Sequence, residues 1–539
     1  MRPGNKIAGP KSTKFLLLTS SLLVDRVFLY TELVDSLSKN GDVTIWATSA
    51  ENNHNSTIWN KTNANVEGFP EILPFREFPY NLLRRLNELV WDCRFPLSSR
   101  ISMRRHVRDK REGIGIRALK IPAWLLAKAR TEEIVENKVE KLLLSYPRSA
   151  EAEARLRELR PTVIVTTGPF QYEQPAIFAA AKKLGIPTIA YIPSWDNVTT
   201  KNRMLFKYDG YIVWSDQIKK ELHEVYPYTK DQPTYIVGAT QYDIFKQEGF
   251  YQSREEFCRE QNLKDDVPII VYAIGSPNFL QEHHGAIDLA KRVVAGELGN
   301  VQMLIRPHPI HDNAELRDVF EKFAPLVRLQ QTPNAGRVLV ERSQDRDQIT
   351  EWVNTFRHAD VVVNLSSTVT VDAALFDRPV VNLDFDPQPG QADQELIKDI
   401  NHKWNHFKPV AESGGVWLVK DFAEMAHAVK TYIKNPSLHQ AKRREITKYV
   451  CGFLDGKCGE RMARAINEFT DNAGSESEAE DKVRFDYTIK TTGQNQPVTQ
   501  VVRVPAAKTR RGSNADRPAK ARPPAYAGGS DMPRQSNLD

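Results

Sequence analysis

Val301-Gln302-Met303-Leu304-Ile305-Arg306-Pro307-His308-Pro309 is a short, mostly apolar run that ends in an arginine and in a histidine held between two prolines. Further along, the run Val361–Leu365 leads into Ser366-Ser367-Thr368. An apolar-spaced helix follows and is stopped by Asp377-Arg378-Pro379. In both places a buried strand gives way to a turn or helix, which is where parallel α/β sheets build anion sites. Two such places in one domain predict a ligand bearing two phosphates, such as a nucleotide-activated donor.

Outward from these motifs, strands and helices alternate in both directions. After a polar stretch at 246–267 the strand candidates are Ile269–Ala273, Val301–Ile305, Val361–Leu365, Val380–Leu383 and Val416–Val419, with helices at Ile349–Arg357 and Phe422–Lys434. Before it they are Phe15–Ser20, Val43–Ala47, Thr162–Thr166, Thr188–Ile192, Tyr211–Trp214 and Tyr235–Val237, with helices at Phe28–Lys39, Pro175–Leu184 and Asp216–Val225. Strands alternating with helices at this spacing form parallel sheets with right-handed crossovers. The expected fold class is α/β: two Rossmann-like doubly wound domains facing an interdomain cleft. Residues 1–12 read as a flexible leader, 13–245 as an acceptor-side domain and 246–469 as a nucleotide-donor domain. Residues 80–158 form a helical, basic insertion in the first domain. Residues 470–539 read as a disordered tail, in which Val483, Phe485, Tyr487 and Ile489 alternate like one strand.

The 539 residues are 41% hydrophobic and 26% charged, as in a soluble globular protein, and the net charge of +6 is unevenly spread. Residues 94–130 hold eleven Lys or Arg against Asp109 and Glu112. With Trp124, Leu125 and Leu126, this segment fits either a solvated basic helix face or a contact with anionic membrane lipid or a lipid diphosphate. No nucleic-acid motif accompanies the charge. Cys93, Cys258, Cys451 and Cys458 are too scattered for a disulfide framework and show no metal spacing, so a reducing cytosol is expected, with peripheral contact at the inner face of the plasma membrane. The apolar Phe15–Val24 imitates a signal peptide but reads better as a buried first strand, well short of the ~20 residues of a membrane span.

Neither a Walker loop nor GxGxxG occurs. The proline-flanked His308 is either a rigid structural donor or a hydrogen-bond donor to phosphate, with Arg306 as a second clamp. Ser366, Ser367 and Thr368 supply helix caps or anion contacts. Gly275 and Ser276, after the first strand of the second domain, allow close backbone approach by a ligand. On the first-domain side, Asp196 beside Asn197 is the guessed base toward an acceptor hydroxyl, and Asp25 stands in the equivalent loop after the first strand. His283 and His284 lack a third metal ligand and read as surface residues. Neither a metal nor a cofactor is expected.

Together these residues resemble GT-B glycosyltransferases over roughly 13–469. Ile305–Pro309 resembles the His-Pro element of CDP-glycerol glycerophosphotransferases and bacterial sialyltransferases. Ser366-Ser367, with Asp372 in the next helix and Pro379 before the next strand, resembles their second donor element. Gly238–Asp243 resembles the end of the first domain in bacterial surface-polysaccharide enzymes. The resemblance implies that His308, Ser366 and Ser367 contact donor phosphates, with Asp372 on the same donor side. The chain departs from the pattern in having no glycine-rich turn at Ser20–Asp25 and no paired-acid-then-glycine motif. The expected function is transfer of a sugar, or a sugar- or polyol-phosphate, from a nucleotide donor to a surface-glycan or lipid-linked acceptor. A UDP-sugar 2-epimerase and a non-catalytic nucleotide-binding scaffold are the alternatives.

Overall fold

Thirteen strands, all parallel to their neighbours, are present among the described residues of the computed structural model. Those residues are 12–50, 56–72, 78–108, 114–145, 149–171, 173–276, 280, 282–309, 313–331 and 345–473. The leader to residue 11, the alternating segment 483–489 and the tail beyond 473 lie outside them. The first sheet contains β1 (Thr13–Thr19), β2 (Gly41–Ala47), β3 (Asn65–Glu67), β4 (Val163–Thr166), β5 (Thr188–Tyr191), β6 (Gly210–Val213) and β7 (Thr234–Ile236), in the order β3-β2-β1-β4-β5-β6-β7. The second contains β8 (Ile269–Ala273), β9 (Gln302–Arg306), β10 (Val327–Leu329), β11 (Val361–Asn364), β12 (Val380–Leu383) and β13 (Trp417–Val419), in the order β10-β9-β8-β11-β12-β13. Helices cover both faces, so β4, β5, β8 and β11 are buried at every position and read as mostly apolar runs.

Each order reverses once, between β1 and β4 and between β8 and β11, and ligands of doubly wound sheets bind beyond the strand ends at such a reversal. Gly275 leaves β8 and Ser366 leaves β11, so they flank the second reversal, with His308 one strand further along on β9.

The structure corrects three expectations. The helix expected over Phe28–Lys39 is two helices, Leu22–Tyr30 and Leu33–Ser38. Thr31 breaks it: its hydroxyl donates to the Val27 carbonyl at 2.6 Å and accepts from the Leu33 amide at 3.3 Å. Asp25 consequently sits in a helical first turn and not in a loop. The last helix, from residue 458, also returns to the first sheet. Asp243 accepts the amides of Cys458 (3.0 Å) and Gly459 (2.7 Å) at its start, and Phe469 fills the space beside Gly210. Gly238 lies where this helix crosses; its φ is +95°, and a Cβ there would come within 2.4 Å of the Cys458 sulfur.

The third correction concerns the basic segment. Arg100 is buried, paired with Asp92 at 3.1 Å and donating to the Val198 carbonyl and the Tyr226 hydroxyl. Arg104 also pairs with Asp92, at 2.9 Å, and Arg105 with Glu395 at 2.7 Å. Much of the charge in the first half of 94–130 therefore serves folding.

Asp25 predicts a pH effect. Its buried carboxyl accepts from Thr19 Oγ1 (2.6 Å) and Ser49 Oγ (2.8 Å), yet burial outweighs both and pushes its pKa up to about 6. The folded state thus holds a proton that the unfolded chain releases near pH 4, and the stability this group contributes falls as pH rises from 4 to 6. At 1.36 kcal/mol per pKa unit, that loss is about 3 kcal/mol. Asp25→Asn should remove it, so urea unfolding at pH 4.5 and 7.5 should show the variant gaining on the wild type at the higher pH. A stability difference that does not change with pH would contradict the assignment.

Candidate functional site

The second-sheet half of the candidate site is built on four neighbouring strand ends. After β8, Ile274 still donates to the Arg306 carbonyl (2.9 Å), which sets the Gly275 turn beside β9. Gly275 lies close to an acid of that loop: a Cβ there would lie 2.2 Å from Glu282 Oε1, which would have to move aside. The buried Glu282 accepts the amides of Gly275 and of Leu365 and so ties the β8 and β11 loops together. Burial pushes its pKa up to about 8, so at neutral pH it is largely a carboxylic acid, and its Oε2 has no hydrogen-bond partner. Ser276 follows, half-buried, on the rim.

Ser366 adopts the left-handed conformation (φ +47°) and donates to Asn401 Oδ1. Asn401 in turn donates to the Leu383 carbonyl (3.0 Å) and to Asp384 Oδ1 (3.1 Å), and His402 Nε2 meets both Asp384 oxygens at 2.9 and 3.0 Å. Ser367 donates through its amide (2.9 Å) and hydroxyl (3.2 Å) to Asn364 Oδ1. Asn364 pairs in register with Asn382, and Thr370 bonds both side chains. The serine hydroxyls thus do not cap the following helix, Val369–Leu375, and its N-cap Thr368 makes no side-chain cap bond. They fix the turn to the ends of β11 and β12.

His308 is half-buried at the exit of β9, with Pro307 buried and Pro309 exposed. Arg306 turns into the core, donating to Gln330 Oε1 (2.6 Å) with its guanidinium 5.5 Å from the Phe356 ring. Burial lowers its pKa, opposed by Glu351 and Asp372. Asp372 lies at the junction of the two halves of the chain. Its carboxylate accepts from the Tyr242 hydroxyl (2.7 Å) and from Trp352 Nε1 (3.2 Å). Arg26, from the first sheet's helix, lies 4.1 Å over Trp352 and donates to Gln241.

On the first-sheet half, Asp196 follows β5 and precedes the short helix Asn197–Thr200. Its Oδ1 accepts from Ser194 (2.6 Å) and Asn197 (3.2 Å), and its Oδ2 from Thr200 (2.8 Å). Although burial works against ionisation, Lys201, His406 and these hydroxyls together lower its pKa, so it is a carboxylate at neutral pH.

The two halves meet at this loop. Trp195 Nε1 reaches Thr368 Oγ1 at 3.5 Å, and the Trp195 ring packs edge-on against His406 at 5.0 Å. Thr199 Oγ1 is 3.2 Å from His406 Nδ1, and Asn405 donates its amide to Ser99 at 2.8 Å. Burial lowers the His406 pKa to about 4, with Asp196 opposing, so its imidazole is neutral. The Asp196 loop and the Ser366–Thr368 turn, chosen separately from sequence, therefore face each other across the cleft. His283 and His284 pack ring on ring at 4.3 Å, half-buried, and no group of three His, Cys, Asp or Glu able to hold a metal occurs among the described residues.

Sequence reasoning passed over Glu282, Asn364, Asn382, Asp384, Asn401, His402 and His406. Asn364 and Asn382 carried a signal, each being the polar residue of an otherwise apolar buried strand, where an unpaired amide is costly. Asn401, His402 and His406 reach the site only through tertiary folding.

Two doubly wound parallel domains, with the Ser366–Thr368 turn of one facing the Asp196 loop of the other, are the GT-B arrangement. A family model described as CDP-Glycerol:Poly(glycerophosphate) glycerophosphotransferase matches residues 176–468. The chain belongs to that family, and it is an enzyme of the transferase class. Among solved structures, a UDP-N-acetylglucosamine 2-epimerase is similar at 13% identity and a TM-score of 0.50, over 86% of this chain and 97% of that one. The S. aureus MnaA–UDP structure is similar at 12% identity and 0.48, over 85% and 97%, and Acinetobacter baumannii MurG at 12% and 0.38, over 85% and 99%. At these identities the likeness is one of fold. No curated protein sequence matches the chain.

Proposed function

We propose that this protein transfers a sugar, or a sugar- or polyol-phosphate, from a nucleotide-activated donor on the second sheet to a cell-surface glycan or lipid-linked acceptor on the first. The observation that carries the reading is the opposition of the Ser366–Thr368 turn and the Asp196 loop, joined through Trp195 and Thr368, in a chain of this family. For a polyol-phosphate donor, an acceptor hydroxyl oxygen attacks the β-phosphorus. The bridging P–O bond breaks, the nucleoside monophosphate leaves with the bonding pair, and the hydroxyl proton passes to a base. His308 and the Ser366–Thr368 turn face the phosphates, where preorganised dipoles stabilise the charge developing on the phosphate oxygens during transfer. Asp196 is the proposed base. Three of its roughly four acceptor positions are filled by its own loop, which orients the carboxylate and leaves one for the incoming hydroxyl. The scheme uses neither a metal nor a cofactor.

Calorimetric titration with CDP, CMP, UDP and GDP tests the donor side. One nucleoside diphosphate should bind more tightly than its monophosphate, and equal weak binding of all four would overturn the reading. Turnover of a UDP-sugar with no acceptor present would replace it with an epimerase. For the base, Asp196→Asn keeps the shape and part of the hydrogen bonding. Its kcat should fall about 100-fold with nucleotide affinity unchanged. Near-wild-type turnover by Asp196→Asn, with Asp196→Ala inactive, would make Asp196 a positioning residue.

A further inference from the structure

Glu282 is an acid built into the sheet end and not into the surface. It precedes the helix His283–Val294, is 4% exposed, and accepts the backbone amides of Gly275 and Leu365. Those amides belong to the chain segments leaving β8 and β11, the two strands between which the second sheet reverses. One side chain therefore sets the spacing of both walls of the reversal, with Gly275 and Ser276 on one wall and Ser366, next to Leu365, on the other. Its Oε2 is buried with no hydrogen-bond partner. A carboxylate with such an oxygen and no cation beside it is costly to bury, and the neutral acid much less so. The groups around it supply no compensating charge. The Tyr272 hydroxyl of β8 donates to the Glu282 backbone carbonyl at 3.4 Å, and burial raises the pKa of that phenol well above its ordinary range. Arg306 of β9 turns onto Gln330, and Asp384 after β12 is engaged by Asn401 and His402. On its own helix His283 and His284 pack on each other and Asp288 lies further along. Among the described residues, no charged side chain offsets the burial of the carboxyl; only the two amides do.

We propose that Glu282 is a positioning residue for the donor: as the neutral acid it holds the Gly275 and Leu365 segments at the spacing that receives a diphosphate, and its ionisation places a negative charge directly behind them and expels the ligand. The inference rests on the reading of this sheet edge as the donor site. A diphosphate lying across the ends of β8 and β11 brings several negative charges toward a group sealed from water, where a like charge is poorly screened. Diphosphate binding and proton retention at Glu282 are therefore linked, and each favours the other. The sign follows from burial, which pushes the Glu282 pKa up to about 8. Below that pH the acid is neutral and the diphosphate binds. Above it the carboxylate forms and affinity falls, by at most about tenfold per pH unit for one proton. A tie that only stiffened the loops would weaken binding when removed, but it would set no alkaline limit that a neutral amide abolishes.

The test is calorimetric titration of the full chain with CDP and with UDP at pH 7, 8 and 9. Wild-type affinity for the tighter of the two should fall about fivefold or more between pH 7 and pH 9. Glu282→Gln keeps an acceptor oxygen and the shape but cannot ionise, so its affinity should change less than about twofold over the same range. Glu282→Ala frees both amides and should bind about tenfold more weakly than wild type at pH 7, with no alkaline fall. A measurement on wild type alone needs no variant to fold: titration at pH 8.5 in two buffers of different ionisation enthalpy should show about half a proton taken up on binding. Zero uptake, a Glu282→Gln profile that falls with pH as wild type does, or Glu282→Ala binding as tightly as wild type would each overturn the proposal. Each would leave the donor reading standing, because a nucleoside diphosphate would still have bound at pH 7. Absence of binding by either nucleotide at every pH would overturn both.

Discussion

His308→Ala is expected to lower kcat/KM for donor consumption by about 10²- to 10³-fold, with the protein folded and its unfolding midpoint near that of wild type. The expectation follows from the order of the strand ends. β9, β8 and β11 are adjacent, so His308, Gly275 and Ser366 leave three neighbouring strands at the same edge of the sheet. A diphosphate lying across that edge meets all three. Arg306, from the same motif, is turned into the core on Gln330 and Phe356, so the imidazole is the motif's side chain at the rim. Its backbone is held extended by Pro307 and Pro309, so little main-chain freedom is lost on meeting a ligand. The variant should also erase the advantage of a nucleoside diphosphate over its monophosphate in calorimetry, because the lost contact is to the outer phosphate. His308→Gln, which keeps a hydrogen-bond donor but cannot take a full charge, should recover binding more than turnover. If His308→Ala binds the nucleotide panel as tightly as wild type, the donor-phosphate assignment is wrong.

How much of this was legible in the sequence follows from where each feature's energy comes from. Buried parallel strands are mostly apolar along their length, so Ile269–Ala273 and Val380–Leu383, despite Asn382, were read to the residue. The edge strands β3 and β10 were not. Each has three residues, two of the three in Asn65-Val66-Glu67 are polar, and Val327-Arg328-Leu329 carries a central arginine, so neither shows the apolar run of β7 or β13. The outcome of the charge count over 94–130 depended on partners outside that window. Asp92, just before it, pairs with Arg100 and Arg104, and Glu395, far along the chain, pairs with Arg105. The strand-end positions of Ser366, His308 and Asp196 were readable because the βα alternation places them. The polar network behind Ser366 was not, since Asn401 and His402 come from a helix after the next strand. Glu282 is the sharpest case: an acidic residue near two histidines in a helical stretch looks solvated, yet it is buried under the Gly275 turn.

Asp372→Ala is expected to cost about 3–5 kcal/mol of folding stability, in the range for removing one member of a buried charged set. Asp372 was grouped with the donor residues by resemblance, but the structure puts both of its oxygens at the junction of the two halves, on Tyr242 and Trp352. The buried Arg26 and the half-buried Arg306 both feel the same carboxylate. Burial lowers the pKa of Arg26, with Asp372 the largest opposing influence, and Asp372 also opposes the same effect on Arg306. Arg26 belongs to the first sheet's helix, Arg306 to the second sheet, and Tyr242 to the connection between them, so one carboxylate compensates groups from all three. Its removal leaves a hydroxyl and an indole N–H unpaired and two guanidinium groups short of negative charge in a region that water does not reach. Asp372→Asn keeps the shape and one acceptor but no charge, and should fall between wild type and alanine. Urea unfolding followed by tryptophan fluorescence checks this directly, since Trp352 reports on the junction itself. Loss of a single cooperative transition in the alanine variant would show that this contact couples the two halves. Should Asp372→Ala unfold within about 1 kcal/mol of wild type while losing nucleotide affinity, Asp372 would be a donor ligand after all, because a junction residue should move stability first and affinity little.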